Sequence, residues 1–241
     1  MNGPRPFTLR VPGLPPLRVE PGVLIVPMLA TFPLWWGLRG NGTATAAIVV
    51  PGLVLSMLAH ELGHALVARR LGWRVRRIEL NVAGGAAVLD GSAVRPEPAI
   101  TWAGPLVNLV LGLALLLAAA MLPEAGPVAP GPWSVPPPAT EGLGRRVLLW
   151  LGWGNLLLGL VNLLPAYSLD GGYLLHEAIR RRAGLRRALR VVGLCGMTLS
   201  VLRWVAFAAS LAAGVPLMLP PDLEPNRRAW RLGAKRPPAP G

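Results

Sequence analysis

The stretch TATAAIVVPGLVLSMLAHELGHALV, residues 43–67, decides the reading of this chain. Glu61 is its only charged residue, and 25 residues at 1.5 Å rise make about 37 Å of helix, enough to cross a hydrocarbon core of about 30 Å. Two histidines, His60 and His64, share the segment with that acid. Ionisable groups inside a spanning helix are costly and mark function by default.

The surrounding sequence belongs to the same medium. Of 241 residues, 53% are hydrophobic and only 15% charged, which is too apolar for a soluble domain of this length. Ala99–Leu122 and Val147–Leu164 are further apolar runs of spanning length. Val23–Leu38 is shorter and carries Pro27 and Pro33, which kink a helix but are tolerated where neighbours satisfy the freed backbone. Val191–Leu219 is long enough, with Arg203 near its middle facing a polar interior, snorkelling, or marking a break. Arg5, Arg10 and Arg18 ahead of the first run make a signal peptide its rival reading, but the later spans leave the protein polytopic either way. The expected fold class is membrane all-α: a polytopic helical bundle of about five to six transmembrane segments.

A net charge of +13 does not point to nucleic acid, because the basic residues cluster at the ends of spans. Arg69, Arg70, Arg74, Arg76 and Arg77 follow the second run, and Arg180–Arg182, Arg186, Arg187 and Arg190 follow the fourth. The positive-inside rule puts these loops and the N-terminus in the cytoplasm, in a multi-pass protein of the cell's inner or plasma membrane. A single fifth crossing would place Arg227, Arg228, Arg231, Lys235 and Arg236 outside, so the last segment is a re-entrant pair or the tail overrides the rule. Cys195 has no partner for an internal disulfide and reads as a buried, inert thiol.

Residues 1–20 are Pro- and Arg-rich and read as an irregular cytoplasmic arm, and residues 21–215 as the membrane domain. Within that domain, residues 73–94 alternate apolar and polar positions around Gly84-Gly85, predicting a small membrane-associated β insert between the second and third spans. It is the only part of the sequence with strand character. The loop 123–143, with Pro123–Pro138 and the single charge Glu124, reads as an extracytoplasmic linker. Residues 216–241 read as a basic, Pro-rich, disordered tail.

His60-Glu61-Leu62-Gly63-His64 is an H-E-x-x-H motif. Residues four apart share one helix face, so both imidazoles can hold one Zn²⁺ while the glutamate reaches its water. The two histidines lie about 8 and about 14 Å inside the basic boundary at Arg69. A catalytic zinc takes three protein ligands and one open position. Among the aspartates, Asp222 lies in the tail and Asp90 in the β-like loop, whereas Asp170 follows the fourth run at a break set by Pro165 and Gly171-Gly172. Asp170 is therefore the third ligand, or else simply the N-cap of the helix bearing Glu177. His176, six residues on, should turn away from that face, toward the cytoplasmic boundary, with no catalytic role.

With these motifs in place, the chain resembles the site-2 proteases, intramembrane zinc metalloproteases. His60-Glu61-x-x-His64 matches the family's zinc-binding helix, and Asn162-x-x-Pro165-x-x-x-Leu169-Asp170-Gly171 its second motif, with the aspartate as third ligand. Ala103-Gly104-Pro105-x-x-Asn108 resembles a further family motif. The resemblance covers roughly residues 40–185, with neither the PDZ domain nor the CBS pair that many members carry. It implies that the insert with Gly84 and Gly85 is a sheet beside the active site, able to hold an unwound substrate by strand addition.

The expected chemistry is hydrolysis of peptide bonds within or near transmembrane segments. One zinc per chain would be held by His60, His64 and Asp170, with Glu61 as general base and then acid. Asn162 and Asn108 are candidates to bind substrate or the oxyanion, or else are polar contacts between helices. Expected partners are a transmembrane protein or signal-peptide substrate, the lipid bilayer, and a second copy or regulatory protein. A non-catalytic metal-binding protein or transporter is the competing class, and an inactive scaffold a third; a transporter should spread polar residues over several spans.

Overall fold

A computed structural model describes residues 6–32, 34, 41–82, 84–90, 97–123, 142–212 and 223–234. Its helices are α1 (Ile25–Ala30), α2 (Asn41–Arg70), α3 (Pro98–Met121), α4 (Leu143–Asn162), α5 (Asp170–Ala212) and α6 (Glu224–Ala234). Among the described residues, three helices are long and apolar enough to cross a membrane: Gly42–Arg70, Pro98–Met121 and Asp170–Ala209. α4, 20 residues long, covers the expected run Val147–Leu164 only as far as Asn162 and is not one of those three. The described helix of the first run, Pro21–Ala30, is too short to cross, and residues 35–38 of that run lie outside the described residues. So do Glu124 and the rest of the Pro-rich loop to residue 141, together with Asp222, Lys235 and Arg236.

The helices are packed inside out relative to a soluble protein. On α3 the exposed stripe is Trp102, Leu106, Val110, Leu113 and Leu117, while the buried residues include Ala103, Gly104, Asn108 and Gly112. Large apolar side chains facing outward suit lipid, and small residues inside let backbones approach closely. A Cβ at Gly112 would lie 2.9 Å from the Gly152 carbonyl oxygen of α4, and one at Gly63 of α2 would lie 2.9 Å from the Ala103 carbonyl oxygen of α3. Glycine is what brings these three helices together around one centre. Arg203 lies exposed on an unbroken part of α5, so it marks neither a break nor a polar interior. The break in α5 is instead at Gly184, whose φ of 82° is left-handed.

The sheet is larger than expected. Strands β1 (Phe7–Leu9), β2 (Leu17–Val19), β3 (Val75–Asn81) and β4 (Gly84–Leu89) pair in the order β1-β2-β3-β4. The first and last pairs are antiparallel, and β2 runs parallel to β3 with Arg18 opposite Glu79. The described part of the N-terminal arm, from residue 6, is therefore a hairpin rather than irregular, and the insert is not the only β structure. Proline and arginine hid three-residue strands that gain their order from β3 rather than from local pattern. The sheet is fastened to the end of α2 by a core of Val23, Ala65, Ile78 and Leu80. The tail also departs from expectation, since Glu224–Ala234 is helical, burying Asn226, Ala229 and Gly233 on one face.

Candidate metal centre and cleft

α2 carries His60 and His64 one turn apart, and α3 passes directly behind them. A Cβ at Gly104 would lie 2.6 Å from His60 Nε2 and closer still to His64 Nε2, so only glycine leaves room for the pair. Each imidazole is oriented from behind. His64 Nδ1 lies 2.6 Å from the Ile100 carbonyl oxygen, which can only accept, so His64 donates from Nδ1. His60 Nδ1 lies 2.5 Å from Asn108 Oδ1. The Asn108 amide nitrogen donates to the Ser56 carbonyl at 3.3 Å and to Asn155 Oδ1 at 2.9 Å, which fixes the oxygen toward His60. His60 likewise donates from Nδ1. Asn155, fully buried on α4, completes the chain by donating to Ser56 Oγ at 2.9 Å.

This orientation turns the Nε2 lone pairs of both histidines onto a single point. The two atoms are 3.1 Å apart, and Asp170 Oδ2 lies 3.1 Å from His60 Nε2 and 3.5 Å from His64 Nε2. Three acceptors facing one another repel unless a cation lies among them. Ligands about 2.0–2.1 Å from a tetrahedral zinc stand about 3.3 Å apart, close to this triangle. The donor set, the tautomers and the spacing all fit zinc.

Asp170 is brought there by a loop that doubles back between α4 and α5. Leu169 N–H donates to the Ala166 carbonyl and Gly172 N–H to the Leu169 carbonyl. A Cβ at Gly171 would collide with the Leu163 carbonyl and one at Gly172 with the Ala166 carbonyl, so the paired glycines are required by close approach of backbone. Asp170 is the first residue of α5, so its helix-starting position and its place beside the histidines hold together.

Glu61 is buried, and a carboxylate oxygen lies within 4.8 Å of the nitrogens of both histidines. Its carboxyl group rests against β4: a Cβ at Gly85 would lie 2.5 Å from Glu61 Oε1. A cleft of about 710 Å³ opens here, lined by His60, Glu61, His64 and Asp170 and walled by β4 from Gly85 to Leu89. β4 pairs with β3 on one side and, among the described residues, presents its other edge without a strand partner.

Of the remaining expected residues, Asn162 lines the cleft while its amide donates to the Leu158 carbonyl at 3.0 Å. Gly84 starts β4 with a φ of 134° that favours glycine, but does not line the cleft. Asn108 is fully buried behind His60 and orients it, away from the cleft surface. His176 does not turn away as expected. It is buried in the cleft wall, its Nδ1 2.6 Å from the Tyr167 hydroxyl, because the Tyr167 loop folds over that face of α5. Ser56, Asn155, Tyr167 and the Ile100 carbonyl were not singled out from sequence. A serine and an asparagine inside apolar runs were the available signal.

Two family models match the chain: Peptidase M50B-like over residues 24–125 and Peptidase family M50 over residues 139–203. It is 35% identical over 222 residues to the "Putative zinc metalloprotease Rip3" of Mycobacterium tuberculosis, across 83% of this chain and 51% of that protein. Stage IV sporulation protein FB of Bacillus subtilis is 30% identical over 186 residues, 74% of this chain and 58% of the relative. The chain thus spans about half the length of these curated relatives. The solved Site-2 Protease from Methanocaldococcus jannaschii shares the fold, with a TM-score of 0.59 at 21% identity over 98% of each chain. With the H-E-x-x-H helix inside the first matched region and the Asp170 loop inside the second, the chain is an integral membrane protein of the site-2 protease family, the M50 peptidases.

Proposed function

We propose that this chain is an intramembrane zinc endopeptidase that cleaves transmembrane segments of other proteins, with His60, His64 and Asp170 as the zinc ligands. The observation that carries the proposal is the convergence of His60 Nε2, His64 Nε2 and Asp170 Oδ2 within 3.5 Å, with the buried Glu61 beside them. Zinc, when bound, polarises a scissile carbonyl and makes a water acidic enough to yield a proton near neutral pH. Glu61 is placed to accept that proton and to pass it to the leaving amine. Asn108 and the Ile100 carbonyl hold the imidazoles in the tautomer that leaves Nε2 free.

β4 supplies the second requirement. A transmembrane helix hides its peptide bonds in its own hydrogen bonds, so the substrate must be held extended to be cut. The edge of β4 without a strand partner among the described residues offers backbone donors and acceptors along one wall of the cleft, and Gly85 leaves room for the Glu61 carboxyl against that strand. The arginines that follow α2 and those on α5 after Glu177 support a reading in which this end of the site faces the cytoplasm of a cell membrane. Substrates are transmembrane proteins or signal-peptide remnants.

The test is a pair of variants assayed for zinc content and for cleavage of a membrane-embedded substrate. Glu61→Gln should retain zinc and lose cleavage; His60→Ala should lose both. Undiminished cleavage by either variant removes the assignment.

A further inference from the structure

Helix α6 lies outside every motif discussed so far, yet it contacts the loop that leads to Asp170. Asn226, 1% exposed, accepts a hydrogen bond at 2.9 Å from the backbone N–H of Tyr167, three residues before Asp170. α6 docks antiparallel on α5 through small residues. A Cβ at Gly193 would lie 2.7 Å from Trp230 N, one at Gly196 would strike the Asn226 side chain, and one at Gly233 would lie 2.9 Å from the Arg190 backbone nitrogen. Arg190 Nε adds a 2.9 Å hydrogen bond to the Gly233 carbonyl.

We propose that α6 is a latch on the ligand loop, and that Asn226 is a positioning residue that holds Tyr167, and through it Asp170, in register with the histidines. This rests on the zinc reading above. The loop from Leu163 to Leu169 is the irregular backbone at the site, and irregular backbone at membrane depth must be tied to protein. Tyr167 is held at two points: its hydroxyl by His176 and its N–H by Asn226. Metal–ligand distances tolerate only about 0.2 Å, so slack of a fraction of an ångström in the loop is felt at Asp170.

The docking also bears on the side of the membrane that the arginines of α6 occupy. Arg227, Arg228 and Arg231 lie exposed on a helix seated against the Arg186–Gly196 part of α5, so they share the side of the arginines that follow the active-site loop.

Zinc affinity of the full-length protein in detergent, measured by competition with a chromophoric chelator, tests the latch. Asn226→Ala should weaken zinc about tenfold, the effect expected of residues that orient ligands. Asn226→Asp, which keeps an oxygen acceptor for the Tyr167 N–H, should stay within about threefold of wild type. Gly196→Ala, which drives a methyl into the intact Asn226 side chain, should weaken zinc as Asn226→Ala does, and it carries the test if Asn226→Ala does not fold. Unchanged affinity in the folded alanine variants, or an aspartate variant no better than alanine, overturns the latch. Wild-type protein that binds no zinc overturns the metalloprotease reading instead.

Discussion

Gly104→Ala tests the geometry of the centre without touching a ligand. The added methyl would lie 2.6 Å from His60 Nε2 and 2.6 Å from His64 Cε1. Non-bonded carbon contacts settle near 3.5 Å, so each ring would have to retreat by about 1 Å. α3 has little room to move away, because α4 packs closely on it: a Cβ at Gly112 would lie 2.9 Å from the Gly152 carbonyl oxygen and one at Gly159 would lie 3.1 Å from the Pro105 carbonyl oxygen. A retreat of that size is about five times the tolerance of a metal site. Zinc affinity should therefore fall at least about 100-fold, or about 2.7 kcal/mol, and cleavage with it. Helix propensity works the other way, since alanine gains about 1 kcal/mol over glycine, so the variant should remain folded. Gly144→Ala is the control: its methyl meets only Leu122 Cδ1 at 3.8 Å, and zinc affinity should not change. Chelator competition on both purified variants decides the matter. A folded Gly104→Ala protein within threefold of wild-type zinc affinity would refute the placement of α3 behind the histidines.

Further substitutions separate the parts of the site. Gly85→Ala presses a methyl onto the Glu61 carboxyl, so cleavage should fall about 100-fold or more while zinc content stays at wild type. Asn108→Leu removes the acceptor behind His60 and should weaken zinc about 10- to 100-fold, read by the same chelator competition. Gly184→Ala forces a side chain onto a φ of 82° and should cost about 1–2 kcal/mol, measured as a lowered Tm with zinc stoichiometry unchanged.

What the sequence disclosed and what it withheld divide along a physical line. His60 and His64 are legible because helical periodicity alone puts them on one face with Glu61 following the first of them, and Asp170 because Pro165 and the paired glycines announce a turn with an acid at its end. The apolar helices over Gly42–Arg70 and Pro98–Met121 were legible because lipid demands long apolar runs. The β1–β2 hairpin was not, because its strands are three residues each and their order comes from pairing with β3, more than fifty residues away. Asn155 and Asn226 were not, because an asparagine in an apolar or basic stretch carries no periodic signal, and its meaning lies wholly in which helix it meets. His176 was misplaced by treating α5 as an isolated cylinder, when the loop before it folds Tyr167 across that face.

The polar network explains how such a centre persists where lipid excludes charge. An imidazole in hydrocarbon has two nitrogens to satisfy, and each unsatisfied buried polar group costs several kcal/mol. Here the inner nitrogen of each ring is tied to α3, through Asn108 for His60 and through the Ile100 carbonyl for His64. Asn108 is in turn tied to α2 and α4 through Ser56 and Asn155. The ties run across three helices, so separating any pair breaks bonds that lipid cannot replace, and the same bonds that satisfy the inner nitrogens aim the outer ones. The bundle thereby concentrates its unmet polar demand at one point between His60, His64 and Asp170, where a cation satisfies all three at once. On this account stability and catalysis share a cause: zinc binding should raise the Tm of the whole bundle, and Asn155→Leu should diminish both the Tm and that zinc-dependent increment.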